Sequence, residues 1–199
     1  MSGSRSVAER RWWRASLAFL ALIYLSLWPV QFALDFLRER NLLRVAIAAI
    51  FGAALFAVLR LLVRRRAGLR EWLTLVLIGG VYLIVASRMT IVQERLHLAE
   101  YGALALLFRA ALSARRARDE GAPAPGLGVD RLAFLLAAAA GLLDELIQGV
   151  LPNRQYDLRD VGFNALAAAM ALVAARGLDA ARARDLRARE ASAWNRASP

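Results

Sequence analysis

The sequence contains no cysteine and only one histidine, His97, and these shortages exclude several kinds of chemistry. Without cysteine, the chain has no disulfide, no thiol nucleophile and no thiolate metal ligand. With one histidine, a zinc site built on a pair of histidines cannot form within one chain. No serine stands beside His97 in a nucleophile arrangement, so a serine hydrolase is disfavoured.

Lysine is also absent, so all 27 basic residues are arginines, and the formal net charge is +11. In a soluble protein such a charge would indicate nucleic-acid binding. Here the arginines cluster at the ends of apolar runs, and hydrophobic residues make up 59% of the chain, above the roughly 45–50% of soluble domains. We therefore predict an integral membrane protein of one domain, with no nucleic-acid partner.

The apolar runs predict an all-α membrane protein, a bundle of about six transmembrane helices with cytoplasmic N- and C-termini. The predicted spans cover residues 16–32, 42–63, 72–92, 96–114, 132–151 and 161–175. The first span is a retained anchor, because no good signal-peptide cleavage site follows its apolar run. The domain organisation is then a basic N-terminus (1–15), a helical membrane domain (16–178) and a polar tail (179–199), expected to be a surface helix that frays.

Arginine placement predicts how this bundle is oriented. With a cytoplasmic N-terminus, 20 of the 27 arginines fall in the four cytoplasmic segments and 7 in the three external ones. In this orientation, the loops after spans three and five are both external. The polar residues at the start of span four, the end of span five and the start of span six therefore share one membrane face.

Ionisable residues interrupt these three spans, and their cost in lipid indicates a function. A spacing of three and four residues places each group on one helical stripe. Only twelve residues separate Arg131 from Asp144, or ~18 Å of helix against a hydrocarbon thickness of ~30 Å, which predicts a water-accessible cavity sunk into the outer half of the membrane. The catalytic candidates are His97, Glu100, Asp144 and Glu145, and the substrate-binding candidates are Tyr101, Gln148, Arg154, Asp157, Asp160 and Asn164.

Each of these residues also has a structural interpretation. His97, Asp157 and Asp160 could cap helices, and Glu100 and Asp144 could form ion pairs with arginines. Tyr101 could lie at the membrane interface, and Glu145 could point along it toward the loop. Residues 152–154 could form only a turn, and Asn164 could bond between helices.

An ordered set of motifs runs through residues 88–178: Glu94 to Gly102 with His97 and Tyr101, then Asp144-Glu145-x-x-Gln148, Pro152-Asn153-Arg154, Asp157-x-x-Asp160 and Asn164. This set resembles the VanZ-like family of bacterial polytopic membrane proteins, whose founding member is associated with teicoplanin resistance. The family's Pro-Gly-Arg is Pro-Asn-Arg here, and the acidic–basic pair before the histidine has a slightly different spacing. The resemblance implies a protein of the bacterial cytoplasmic membrane, but it supplies no reaction.

Three functions remain open at this point. A binding protein would hold a lipid-linked envelope precursor or a glycopeptide-type ligand in the outward pocket, without turnover. An enzyme acting on such a precursor would use His97 as base, Glu145 as acid and Arg154 to hold a phosphate or carboxylate. A small transporter or scaffold is the third. No metal ligand or cofactor is assigned, although a carboxylate-rich site can hold Mg²⁺ or Ca²⁺.

Overall fold

The computed structural model describes residues 2–89, 94–119, 126–151 and 156–197, and all the regular structure in these ranges is helical. The predicted all-α architecture is therefore confirmed. The turn at residues 152–154, with Arg154, lies outside the described residues. In chain order the helices are α1 (Ser2–Ser26), α2 (Pro29–Glu39), α3 (Leu43–Arg64), α4 (Leu69–Arg88), α5 (Glu94–Asp119), α6 (Leu127–Gln148) and α7 (Leu158–Ala197).

Several described helices have the length and apolar surface of membrane spans. Three are long and apolar enough to cross a bilayer: Leu43–Arg64, Leu69–Arg88 and Leu158–Ser192. Helices α3 and α4 leave large apolar side chains exposed, among them Phe56 and Leu83. A protein in water would bury such faces, so this chain is a membrane protein.

The burial pattern of α6 is the reverse of the pattern in a helix of a water-soluble protein. Its buried stripe consists of small and polar residues: Val129, Asp130, Ala133, Ala137, Ala140, Gly141, Asp144, Glu145 and Gln148. Its leucines, including Leu135 and Leu146, are exposed. Small residues let helices approach closely in lipid, and an outward leucine face suits contact with lipid tails.

The predicted first span (16–32) is interrupted, and the structure corrects it. Helix α1 ends at Ser26, and the chain bends by 65° into α2, which begins at Pro29. Proline has no N–H and cannot continue the hydrogen-bond ladder of α1, but it suits the first turn of a new helix. The α1–α2 pair would form a fourth membrane span if both helices are counted as one.

Helix α2 was missed by the sequence analysis, which left residues 33–41 outside the spans. The helix ends where Asn41 adopts a left-handed conformation with φ of 56°. The Leu42 N–H then donates to the Leu37 carbonyl at 2.8 Å, which caps the helix end.

Helices α5 and α6, predicted as spans four and five, are long enough to cross a bilayer, but they are not apolar enough to count among these spans. Charged residues interrupt their apolar stretches, as Glu100 and Arg109 do in α5. Both helices also extend beyond the predicted spans: α5 continues to Asp119, and α6 starts at Leu127.

The predicted polar tail does not form a separate frayed helix. Helix α7 starts at Leu158, before the predicted sixth span, and continues to Ala197. The tail is rich in alanine and arginine, which are strong helix formers, and residues 179–197 contain no proline or glycine that would end the helix.

The chain divides into two compact units. The first consists of Met1–Ile47 and Ile91–Leu172, and the second of Ala48–Thr90 and Val173–Pro199. The predicted site residues that the structure describes all belong to the first unit.

In the first unit, α1 packs along α5, and α5 packs along α6. The Tyr24 hydroxyl of α1 donates to the Ala140 carbonyl of α6 at 2.8 Å. The Arg109 guanidinium of α5 donates to the Asp130 carboxylate of α6 at 2.8 Å, and both side chains are nearly buried. These polar contacts hold together the three helices that surround the candidate site.

In the second unit, a buried glutamate organises the start of α4. Glu71 accepts a hydrogen bond from the Gly68 N–H at 3.0 Å, which caps the helix. Its other carboxylate oxygen lies 3.8 Å from the Arg182 guanidinium of α7. Glu71 is therefore accounted for by local structure.

Candidate functional site

A cavity of about 280 Å³ lies in the first unit. Residues of α5, α6 and the start of α7 form one wall, although these segments are far apart in sequence. Six of the predicted site residues line it: His97, Glu100, Asp144, Gln148, Asp157 and Asp160.

A second part of the lining, the apolar wall, comes from α1 and α2 and was not predicted. It carries the apolar side chains Ile23, Leu27, Val30 and Leu34, with polar groups that include Asp35 and Arg38. The bend at Pro29 gives both helices access to the same cavity. Two apolar pairs with a spacing of four residues, one on each side of Pro29, were the signal that could have indicated this wall.

The α5 stripe behaves as its spacing predicted, but its members differ in exposure. The His97 Nδ1 atom lies 3.8 Å from a Glu100 carboxylate oxygen, and both side chains keep some solvent access. The His97 and Tyr101 rings are 6.0 Å apart. Tyr101 is fully buried, so the alternative of an interfacial aromatic belt is wrong for it.

Asp144 is the most unusual side chain in the cavity wall. It is 1% exposed, and neither of its carboxylate oxygens has a hydrogen-bond partner among the described residues. The Tyr101 side chain is its neighbour in the interior, but the Tyr101 hydroxyl and the Asp144 carboxylate do not form a hydrogen bond of ordinary geometry. The structural alternative in which Asp144 pairs with an arginine is not seen among the described residues.

Glu145 is completely buried beside the cavity. One carboxylate oxygen accepts from the Gln148 side chain at 3.3 Å, and the other accepts from the Asp157 N–H at 3.4 Å. These long hydrogen bonds tie the end of α6 to the segment that leads into α7. Glu145 is therefore buried and points from the end of α6 toward the connection between α6 and α7.

Asp157 and Asp160 combine a structural role with a place in the cavity wall. Asp157 immediately precedes α7, and its carboxylate accepts from the Arg159 N–H at 2.8 Å. This is the N-cap interaction offered as its structural alternative. Asp160, in the first turn, adds a negative charge where the helix dipole favours one.

Asn164 is buried between helices and does not line the cavity. Its amide donates to the Gly141 carbonyl of α6 at 3.3 Å. A side chain at position 141 would come within 2.6 Å of the Asn164 Cβ, so glycine is what allows this close approach. The structure therefore gives Asn164 the helix-bridging role that was its alternative.

Negative charge dominates the described cavity wall. Its acids are Asp35, Glu100, Asp144, Asp157 and Asp160, and its described basic groups are Arg38 and His97. Carboxylates accept hydrogen bonds and attract cations. The cavity is therefore suited to a ligand that supplies hydrogen-bond donors or positive charge.

No protein-family model matches this chain, and neither a curated protein nor a solved structure matches it. The likeness to the VanZ-like family therefore depends on the motifs quoted above.

Proposed function

We propose that this chain is a VanZ-like, multi-pass protein of the bacterial cytoplasmic membrane. Its cavity binds the polar headgroup of a lipid-linked envelope precursor or a glycopeptide-type ligand. The chain crosses the membrane about six times, with both termini in the cytoplasm and the cavity open to the outside.

The observation that carries this proposal is the pairing of two unlike walls in one cavity. Ile23, Leu27, Val30 and Leu34 supply apolar side chains, and carboxylates of α5, α6 and α7 line the same cavity. An amphipathic ligand satisfies both walls at once. A lipid whose chain meets the α1–α2 bend and whose headgroup meets the acids is such a ligand.

The chemistry and size of the cavity limit which headgroups it can bind. Sugar hydroxyls and amino groups are donors that match carboxylate and amide acceptors such as Asp144 and Gln148. At about 280 Å³, the cavity lies just below the roughly 300–1,000 Å³ of pockets that enclose drug-sized ligands. It therefore holds part of a large ligand, such as one or two sugar or amino-acid groups.

Two features support α5 and α6 as additional spans. Their lengths of 26 and 22 residues suffice to cross a hydrocarbon layer of ~30 Å. The polar residues of α6 are buried and its leucines face outward, as expected for a lipid-exposed helix that surrounds a polar site.

Binding of defined ligands to the purified full-length chain in detergent tests the proposal. Lipid-linked precursor and teicoplanin are titrated separately against wild type and Asp144→Asn. Because a hydrogen bond to a charged group contributes about 1.5–3 kcal/mol, the variant is expected to bind the true ligand roughly 10- to 100-fold more weakly.

Glu190→Gln is the matched control, since it removes a carboxylate from an exposed position on α7 outside the cavity. It is expected to bind like wild type. Arg154→Ala tests the arginine of the same motif set in parallel. If neither ligand binds wild type, or if Asp144→Asn binds as tightly, the proposal fails. Conversion of the precursor to a product would instead support the acid–base enzyme.

A further inference from the structure

Three potential metal ligands from three helices meet beside the cavity. His97 belongs to α5, Glu145 to α6 and Asp160 to α7, and one ligand atom from each lies within 4.8 Å of the others. Glu145 is fully buried, and the other two side chains are partly buried. We propose that these residues bind one divalent transition-metal ion, Zn²⁺ or Mn²⁺.

Asp144 provides an independent reason to expect a cation here. Its carboxylate is 1% exposed, lines the same cavity and has no hydrogen-bond partner among the described residues. A buried carboxylate without a partner is costly, and native structures rarely leave one. A dication bound by the three ligands would offset that cost by electrostatic attraction, because Asp144 lines the same cavity as His97 and Asp160.

The distances between the ligand atoms are close to those of a bound site. Zinc binds histidine nitrogen and carboxylate oxygen at ~2.0–2.2 Å in tetrahedral geometry, so two ligand atoms on one ion are about 3.3–3.6 Å apart. The observed limit of 4.8 Å therefore requires the ligand atoms to approach each other by about 1 Å. The partial exposure of His97 and Asp160 allows that adjustment.

The ligand types select the class of metal. Two carboxylates alone would suit Mg²⁺ or Ca²⁺, but an imidazole nitrogen favours transition metals such as Zn²⁺. Three protein ligands are also typical of sites that keep a coordination position open. Because His97 and Asp160 line the cavity, an open position would face it.

Glu145 is oriented by hydrogen bonds, as metal-binding carboxylates usually are. Its two hydrogen bonds, from the Gln148 side chain and the Asp157 N–H, fix the orientation of the carboxylate. A carboxylate offers about four acceptor positions, so it can accept hydrogen bonds and bind a metal at the same time. The site does not depend on the ligand proposed above and can be tested without any lipid.

Metal binding by the purified full-length chain is the direct test. The protein is stripped with EDTA, dialysed and titrated with Zn²⁺ or Mn²⁺ alone, and the bound metal is measured by calorimetry and elemental analysis. We expect one ion per wild-type chain. Each of the variants His97→Ala, Glu145→Gln and Asp160→Asn should bind the metal about 100-fold more weakly, or worse. Loss of a group that only supports a metal ligand typically weakens binding by 10- to 100-fold.

Circular dichroism and size-exclusion profiles identify any variant that fails to fold. His97→Ala is the variant least expected to misfold, because the His97 side chain is already partly exposed to solvent. Glu190→Gln is the control for charge removal outside the site and should keep wild-type affinity. The proposal is overturned if wild-type protein binds neither ion, or if folded His97→Ala binds as tightly as wild type.

Discussion

At the residue scale, some polar side chains of the site have a clear structural role, whereas Asp144 has none. Asp157 caps α7 and Asn164 bridges two helices, so both have local reasons to be polar. Asp144 has no hydrogen-bond partner among the described residues, yet it is almost fully buried. Function is therefore best sought around Asp144.

The contact between Gly141 and Asn164 gives a prediction about packing. In Gly141→Ala, the new Cβ would lie 2.6 Å from the Asn164 Cβ, so α6 and α7 must move apart. Alanine is ordinarily about 1 kcal/mol better than glycine in a helix, but overpacking costs about 1–3 kcal/mol. We expect a net loss of stability, measured as a lower thermal unfolding midpoint in detergent.

Gly52→Ala is the matched control for this experiment. It introduces the same methyl group into α3, where nothing lies within 4 Å of the added Cβ. Its unfolding midpoint should equal or slightly exceed that of wild type. A Gly141→Ala protein as stable as Gly52→Ala would show that the close approach of α6 and α7 is unimportant.

At the element scale, helix ends and bends determine what lines the cavity. The α1–α2 bend supplies the apolar wall, and the first turn of α7 supplies two carboxylates. The α5 and α6 stripes complete it, because the nearly buried pair Arg109–Asp130 ties these helices together. Residues near the ends of five helices thus form the site, and the sequence predicted the positions of most of these ends only approximately.

The Arg109–Asp130 pair gives a prediction about how α5 and α6 are joined. Asp130→Ala leaves the Arg109 guanidinium nearly buried without this partner, and loss of one member of a buried pair costs about 3–5 kcal/mol. Chemical denaturation in detergent should show this destabilisation.

The exposed pair Arg38–Asp35 provides the comparison. Both side chains are largely exposed, so Arg38→Gln should cost less than about 1 kcal/mol. Equal effects of Asp130→Ala and Arg38→Gln would mean that the α5–α6 pair does not hold the helices together.

At the scale of the whole molecule, exposed apolar surface indicates the environment, and the arginine distribution supports a proposed orientation. The large exposed side chains of α3 and α4 require lipid. The 20-to-7 distribution of arginines supports the proposal that both termini are cytoplasmic. The same orientation places the cavity on the outside.

The absence of cysteine makes this orientation directly testable. Single cysteines are introduced as Glu39→Cys at the end of α2 and Ser192→Cys near the end of α7, both at exposed positions. In intact spheroplasts, a membrane-impermeant maleimide should label position 39 and leave position 192 unlabelled, because only the former is proposed to lie outside.

Permeabilised spheroplasts should label both positions to the same extent, which controls for reactivity. Labelling of position 192, but not position 39, in the intact state would reverse the proposed orientation. Labelling of both in the intact state would rule out a cytoplasmic C-terminus.

The sequence by itself determined the helical class, the membrane environment and four of the five acids that line the cavity. These follow from apolar run length and from the 3.6-residue helical repeat, which depend only on neighbouring residues. The tertiary structure decided the apolar wall from α1 and α2, the burial of Tyr101 and Glu145, and the meeting of His97, Glu145 and Asp160. Those features depend on how distant helices pack, and local spacing carries no information about distances between helices.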